Sequence, residues 1–314
     1  MPDKRVLITG ARGYIGTALA KRLKNEGCRL RLVSRESGGQ KDEPGIERVA
    51  ADLRSEGVWK RLMDDVDAIV HLSSRTDLRA AEGDPAGDDS MNIEPVRALV
   101  RAIGGSKPIQ VVFASTVTIV GPNPELPVGE TAPDRPCSVY DRHKLACEKI
   151  LREATAAGVL RACSLRLSNV YGFGIASKNS NRGIVNAMIR KASEGQPLSM
   201  YGDGSYLRDF THLADVVDAF YRASMSSSAC DGTAYVIATG KGHTLAQAFS
   251  MIAEEAQSRT GRAVDLHSVP EPADLHEIER RNFIGNPALF GSRTGWRPRV
   301  KLRSGICDYF DRIL

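Results

Sequence analysis

Apolar runs and amphipathic stretches alternate along the first half of the chain. "RVLITG" (5–10) is a short apolar run stopped by glycine, and "YIGTALAKRLKNEG" (14–27) follows with apolar residues at helical spacing and a glycine at its end. "RLRLVS" (29–34), "DAIVHLSS" (67–74) and "IQVVFAST" (109–116) read as further strands, with a helical "MNIEPVRALVRAIGG" (91–105) ahead of the last. Strands alternating with helices predict βαβ units and an α/β architecture with a parallel sheet. Ligands of such sheets bind beyond the carboxyl ends of the strands. Those ends read "TG", "SR", "HLSS", "AST" and "RLSNVYG", all rich in small polar or charged residues.

At 314 residues the chain exceeds one ordinary core, so about two domains are expected. An apolar fraction of 42% with 6% aromatics is that of a globular protein. No apolar run approaches the roughly 18 residues of a membrane span, and "MPDKRVLITG" does not read as a signal peptide, so a cytoplasmic protein without a membrane partner is expected. The six cysteines are scattered, with no C-x-x-C pair or metal spacing, and read as reduced packing residues with no metal site. The net charge of +5 is spread among acids, which suits an anionic small substrate and gives no sign of nucleic-acid binding.

Two short stretches carry chemistry. "TGARGYIG" puts Gly10, Gly13 and Gly16 directly after a strand and at a helix start. There they allow a tight turn, a close backbone approach to a pyrophosphate and close helix packing. Ser34, 18 positions after Gly16, stands where NAD-binding versions usually carry a carboxylate, and Arg35 follows it. With Arg12 in the loop, these residues favour a 2′-phosphate and hence NADP(H), leaving NAD(H) open. In "YDRHK", Tyr140 and Lys144 are four residues apart in a helical stretch and share a face. An ammonium beside a phenol lowers the phenol's pKa and makes it a candidate proton-transfer group.

Taken in order, these segments resemble the extended short-chain dehydrogenase/reductases, a family of sugar-nucleotide epimerases, dehydratases and ketoreductases. "TGARGYIG" is similar to its cofactor loop, "ADLR" to its adenine-contacting segment and "HLSS" to the strand behind the nicotinamide ribose; "FASTVTIVG", "YDRHK" and "LRLSNVYG" follow as its catalytic segments. The resemblance implies a Rossmann doubly wound parallel sheet with a smaller, discontinuous C-terminal substrate domain. The boundaries expected are 1–171 with 207–241 for the NAD(P)-binding domain and 172–206 with 242–314 for the substrate domain. It further implies Thr116, Tyr140 and Lys144 as catalytic residues. Gly10, Arg12, Gly13, Tyr14, Ile15, Gly16, Ser34, Arg35, Asp52, Leu53, Leu72, Ser73, Ser74 and Asn92 would bind or support the cofactor, together with Tyr140 and Lys144. Ser115, Thr116, Asn169 and Arg208 would contact a nucleoside-diphosphate sugar, with an Arg208–Asp209 ion pair as the alternative for Arg208. His71, His143 and His212 are expected to be structural. A homodimer built on a four-helix face that includes the Tyr140 helix is also implied.

The residues after Thr116 narrow the reaction. Val117 and Thr118 stand where 4,6-dehydratases of the family carry an Asp-Glu pair, and a cysteine is missing from the position where epimerase/reductases of the fucose-synthase type have one. Hydride transfer at a single carbon remains. The expectation is NADPH-dependent reduction of a nucleoside-diphosphate (dTDP) 4-keto-6-deoxyhexose. The alternative is an NAD-dependent nucleotide-sugar 4-epimerase, and a non-catalytic nucleotide sensor is a third reading, against which Tyr140 and Lys144 argue.

Overall fold

The computed structural model describes residues 4–36, 43–76, 78–103, 108–122, 124–174 and 183–314. Residues 1–3 of the N-terminal stretch, the 104–105 glycines and residues 175–182 of the expected substrate domain lie outside the described residues. In chain order the strands are β1 (Arg5–Thr9), β2 (Arg29–Ser34), β3 (Ile46–Ala50), β4 (Ala68–His71), β5 (Gln110–Thr116), β6 (Arg161–Leu167), β7 (Asn169–Tyr171), β8 (Leu198–Tyr201), β9 (Leu207–His212), β10 (Ala234–Ile237), β11 (Gly242–Thr244) and β12 (Leu266–Val269). The helices are α1 (Tyr14–Asn25), α2 (Glu56–Leu62), α3 (Leu78–Gly83), α4 (Pro85–Asn92), α5 (Glu94–Ile103), α6 (Val139–Ala156), α7 (Ile184–Ser193), α8 (Leu213–Met225), α9 (Leu245–Thr260), α10 (Ala288–Thr294) and α11 (Leu302–Asp311).

Seven strands form one parallel sheet in the order β10-β6-β5-β4-β1-β2-β3. The order reverses between β1 and β4, which puts the glycine loop and the "HLSS" segment side by side at the switch point, where doubly wound sheets bind ligands. Successive residues of a strand face opposite sides. Val6 and Ile8 therefore join Leu19 and Leu23 of α1 and Val216 and Phe220 of α8 in one core, while Leu7 joins Leu99 and Ile103 of α5 and Leu151 of α6 in another. The fold is the expected Rossmann α/β sheet.

A smaller lobe gathers a three-stranded sheet (β11-β9-β7), the β8–β12 pair and α7, α9 and α11 around Tyr171, Ile189, Phe210, Phe249 and Ile306. Two features differ from the sequence boundaries. β9 lies within the expected 207–241 return to the large domain, yet it pairs with β7 and β11 and carries Phe210 into the small-lobe core. Phe290 and Trp296, inside the expected 242–314 segment, pack instead in the large-sheet core, because Trp296 donates to the Asp215 carbonyl of α8 at 2.9 Å and meets the Phe290 ring at a tilt, 5.7 Å between centres. Among the described residues no helix is long and apolar enough to cross a membrane, and the six cysteines form no disulfide.

Asp209 fastens the two regions together. Its buried carboxylate accepts the Thr239 N–H (2.8 Å), the Thr239 hydroxyl (2.7 Å), the Gly240 N–H (2.9 Å) and the Gly285 N–H (3.3 Å). A buried donor left without its acceptor costs about 1–3 kcal/mol. Asp209→Ala is expected to lower unfolding free energy by about 3 kcal/mol or more, measured as a shift of the urea midpoint at constant m-value.

Candidate active site

The cofactor end is built on the turn from β1 to α1. Gly10 has φ +65, and a Cβ there would lie 2.9 Å from the Ser73 nitrogen, so the turn packs directly on the chain leaving β4. A Cβ on Gly16 would run into the Gly10 carbonyl and come within 2.9 Å of the Ala11 Cα, which is why α1 can approach so closely. Gly13 caps α1 without a side-chain hydrogen bond, and a Cβ there would meet only the Gly10 carbonyl oxygen, at 3.0 Å. The outer face of the loop is thus open, and the first N–H groups of the helix, those of Tyr14, Ile15 and Gly16 included, have no intrahelical acceptor. An anionic pyrophosphate fits that cradle.

The rest of the expected cofactor set divides into exposed and structural residues. Arg12, Arg35 and Asp52 are exposed at the strand ends. Asp52 accepts the Arg54 guanidinium on both oxygens, at 2.9 and 3.0 Å, and that hydrogen bonding holds its pKa below the ordinary value. Leu53 is buried and its carbonyl accepts the Trp59 indole N–H at 2.8 Å. The Ser34 hydroxyl donates to the Glu36 carbonyl at 2.7 Å, and Arg12 lies 3.9 Å from the Glu36 carboxylate. Glu36 therefore puts a carboxylate at the strand end where the sequence reading counted only Ser34 and Arg35.

Leu72 and Ser73 both donate their N–H groups to Thr9 Oγ1 at 3.2 Å. With two donors arriving, Thr9 gives its own hydrogen to His71 Nδ1 at 2.9 Å. His71 is buried beside Trp59 and Phe113, and burial pushes its pKa down to about 3, so it is a neutral packing group. Asn92 accepts from the Ser74 hydroxyl (2.9 Å) and the Arg75 N–H (2.8 Å) and donates to Asp88 at 2.7 Å; its amide braces the loop rather than facing a ligand. His143 meets Asp88 at 2.9 Å, and His212 caps α8 by accepting the Ala214 N–H at 3.2 Å.

The residues expected to be catalytic meet where β5 ends and α6 begins. Ser138 caps α6 by accepting the Asp141 N–H at 3.0 Å, which places Tyr140 in the first turn and Lys144 one turn below it. The Lys144 Nζ donates to the Ala114 carbonyl at 2.8 Å and sits 4.7 Å from the Phe113 ring centre and 5.6 Å from that of Tyr140. Burial lowers its pKa to about 8, the carboxylates and the thiol around it acting the other way. Thr116, at the end of β5, meets Thr118 at 2.8 Å, and Thr118 donates to the Asp141 carboxylate. Ser115 is buried, and its hydroxyl has no hydrogen-bond partner among the described residues.

Thr76, Thr116, Thr118, Tyr140 and Asp141 line one side of a cavity of 170 Å³ whose other side is Ile278, Glu279 and Arg281. Arg281 is buried. It donates to the Ile278 carbonyl (2.9 Å) and to Asn169 Oδ1 (3.2 Å), and its Nε is buried without a partner among the described residues. Burial lowers its pKa. Asn169 thus reaches the site bonded to an arginine that the sequence did not single out.

Arg208 is placed differently from both expectations. Its guanidinium is buried and donates to the backbone carbonyls of Leu207 (3.1 Å), Glu279 (2.6 Å) and Arg281, while Asp209 is taken up by Thr239, Gly240 and Gly285. It neither pairs with Asp209 nor faces the cavity lining; it holds the chain that presents Arg281. Burial and the nearby Arg281 lower its pKa to about 9.

The class that this fold and site define is borne out by comparison with known proteins. The NAD dependent epimerase/dehydratase family matches residues 6–238, and the chain belongs to that family. It is an NAD(P)-dependent epimerase or oxidoreductase. A UDP-glucose 4-epimerase of Azospirillum brasilense is 29% identical, over 96% of this chain and 89% of the relative. A putative UDP-glucose 4-epimerase of Methanocaldococcus jannaschii is 25% identical over 96% of this chain and 95% of its own length. The crystal structure of the Thermus thermophilus UDP-glucose 4-epimerase in complex with NAD superposes with a TM-score of 0.81 at 27% identity, covering 98% of both chains.

The depressed Lys144 pKa has a direct readout. In ¹³C NMR of Cε-labelled lysines, one signal is expected to titrate near pH 8 and to vanish in Lys144→Met, while ordinary lysines titrate near 10.5. Between those two pH values the unfolded chain binds the proton that the folded protein has released, so this group's contribution to stability rises with pH across that window.

Proposed function

We propose that the chain is an NAD-dependent 4-epimerase of a nucleoside-diphosphate hexose. The carrying observation is the small cavity on which Thr116, Tyr140 and Arg281 converge, in a chain that is similar nearly end to end to UDP-glucose 4-epimerases. This replaces the reduction of a 4-keto-6-deoxyhexose as the leading reading, since the relatives compared are epimerases.

When bound, the nicotinamide supplies a hydride acceptor and donor. The remaining work falls to the protein. Tyr140 takes the proton of the sugar's C4 hydroxyl as the hydride leaves and returns it after the sugar has turned over, a role that requires a group able to hold a proton near neutrality. Lys144, fixed between the Ala114 carbonyl and the Tyr140 ring, favours the phenolate and would hold the nicotinamide ribose when the cofactor is bound. Arg281 and Asn169 receive the anionic and polar parts of the substrate. Val117 is buried and the Thr118 hydroxyl is committed to Asp141, so the two positions that would carry acid/base groups for water elimination hold none. Glu36 beside Arg12 supports NAD(H) over NADP(H), because its carboxylate accepts from ribose hydroxyls and repels a 2′-phosphate. The homodimer expected from the sequence is kept as part of this reading.

Two measurements test it. Supplied with UDP-glucose or UDP-galactose, the protein should interconvert the pair with no net change in nicotinamide absorbance, and Tyr140→Phe should lower turnover by about 10²-fold or more with cofactor binding retained. Stoichiometric NADPH consumption on 4-keto-6-deoxy sugars, without interconversion, would establish the reductase instead. In direct titrations NAD(H) should bind more tightly than NADP(H), and Glu36→Gln should narrow the gap; tighter NADPH binding by the unaltered protein would reverse the cofactor assignment.

A further inference from the structure

Arginine only donates hydrogen bonds, and this fixes the amide of Asn169. Asn169 opens β7, two residues beyond Leu167, the residue of β6 that pairs with Thr116, so it leaves the large sheet beside the end of β5. Its side chain meets the Arg281 guanidinium at 3.2 Å. Because that guanidinium has no acceptor, the amide turns its oxygen to Arg281 and its NH2 group away from it. Asn169 is half-buried, and the NH2 group donates to no atom among the described residues. Arg281 in turn is buried, is held on another side by the Ile278 carbonyl at 2.9 Å, and belongs to the stretch that Arg208 fastens. The partner that sets the amide is therefore itself anchored.

We propose that Arg281 is a positioning residue, which holds the Asn169 amide in the one orientation that leaves its NH2 group as a donor to a diphosphate oxygen of the substrate. Two physical effects favour an anionic acceptor there. The positive guanidinium lies behind the amide oxygen, so the amide dipole carries its positive end outward, and hydrogen bonds in series strengthen one another. A hydrogen bond to a charged oxygen is also roughly twice as strong as one between neutral groups. An amide turned the other way would present its oxygen and repel a phosphate. The choice of a diphosphate rests on the nucleoside-diphosphate hexose reading; the direction of the amide does not.

The test titrates UDP into the full chain with NAD present. In ¹⁵N NMR of asparagine-labelled protein, UDP should move the side-chain NH2 signal that is missing from Asn169→Ala. By calorimetry, Asn169→Ala should weaken UDP binding about tenfold, the scale of one hydrogen bond to a charged group. In an Arg281→Met background, where nothing orients the amide, the same change should cost less than about threefold, and in Arg281→Lys, which still only donates, the larger cost should return. Loss of the Arg281 charge weakens UDP in both members of each pair and cancels from the comparison. Should Arg281→Met not fold, Arg281→Gln, whose amide accepts as readily as it donates, gives the same contrast. An equal cost of Asn169→Ala with and without Arg281 overturns the positioning role, as does an Asn169 signal that bound UDP leaves unmoved. UDP binding with the expected pattern, in a protein that interconverts no nucleotide sugar, upholds the positioning role and removes the 4-epimerase reading. Failure of both UDP and dTDP to bind overturns the two together.

Discussion

The site depends on where one guanidinium finds its acceptors. Arg208, on β9, donates to three backbone carbonyls, two of them in the Glu279–Arg281 stretch. A buried cation needs such acceptors, because an unpaired charge in the interior is far more costly than a hydrogen-bonded one. By taking them from a segment some seventy residues away, Arg208 folds that segment across the ends of β5 and α6 and so gives the cavity its second wall. The Arg281–Asn169 bond and the pairing of Asn282 and Phe283 with Leu207 hold the same segment from its other side.

Positive charge is then graded by its partners. Arg166 sits in the sheet against two carboxylates, Glu148 at 2.6 Å and Asp134 at 2.8 Å, and these raise its pKa against the pull of burial. Arg208 has backbone carbonyls and the Tyr206 ring, 5.9 Å from its Cζ. Arg281 has the Ile278 carbonyl, the Asn169 amide oxygen, a carboxylate no nearer than 4.0 Å and one N–H unused. Lys144 has one carbonyl and two ring faces. Of these buried cations, Lys144, Arg208 and Arg281 have no close carboxylate among the described residues, and Arg281 lines the cavity, where a substrate with negative charge would supply what the protein withholds.

Much of this could be read from sequence because it is local. A glycine loop between a strand and a helix, and a tyrosine four residues before a lysine on one helix, declare their geometry within a single turn of chain. The buried strands of the large sheet announce themselves as apolar runs. The edge strand β3, "IERVA", does not, since only Ile46 of its five residues is buried. α4, "PAGDDSMN", has no apolar face to recognise. Arg281 lies in an aperiodic stretch, and its place is set by Arg208 and Asn169, both distant in sequence. Sequence order named Arg208 as the ligand-facing cation, but burial and carbonyl partners keep Arg208 off the cavity wall, and Arg281 lines it. Asp141 was in view within "YDRHK", yet its partner shows only where the turn after β5 brings Thr118 to it.

Tyr14 ties the two lobes at a telling point. It is the first residue of α1, directly after the glycine loop, and its hydroxyl donates to the Gly172 carbonyl at 2.5 Å while accepting from the Asn186 amide of α7 at 3.2 Å. Asn186 in turn accepts the Gly172 N–H at 2.9 Å. This three-cornered knot means that the lobes cannot part like a clamshell at the cofactor loop without breaking one buried and two part-buried hydrogen bonds. A displacement of Gly172 or Asn186 in the small lobe is therefore passed through Tyr14 to the loop that would grip the dinucleotide.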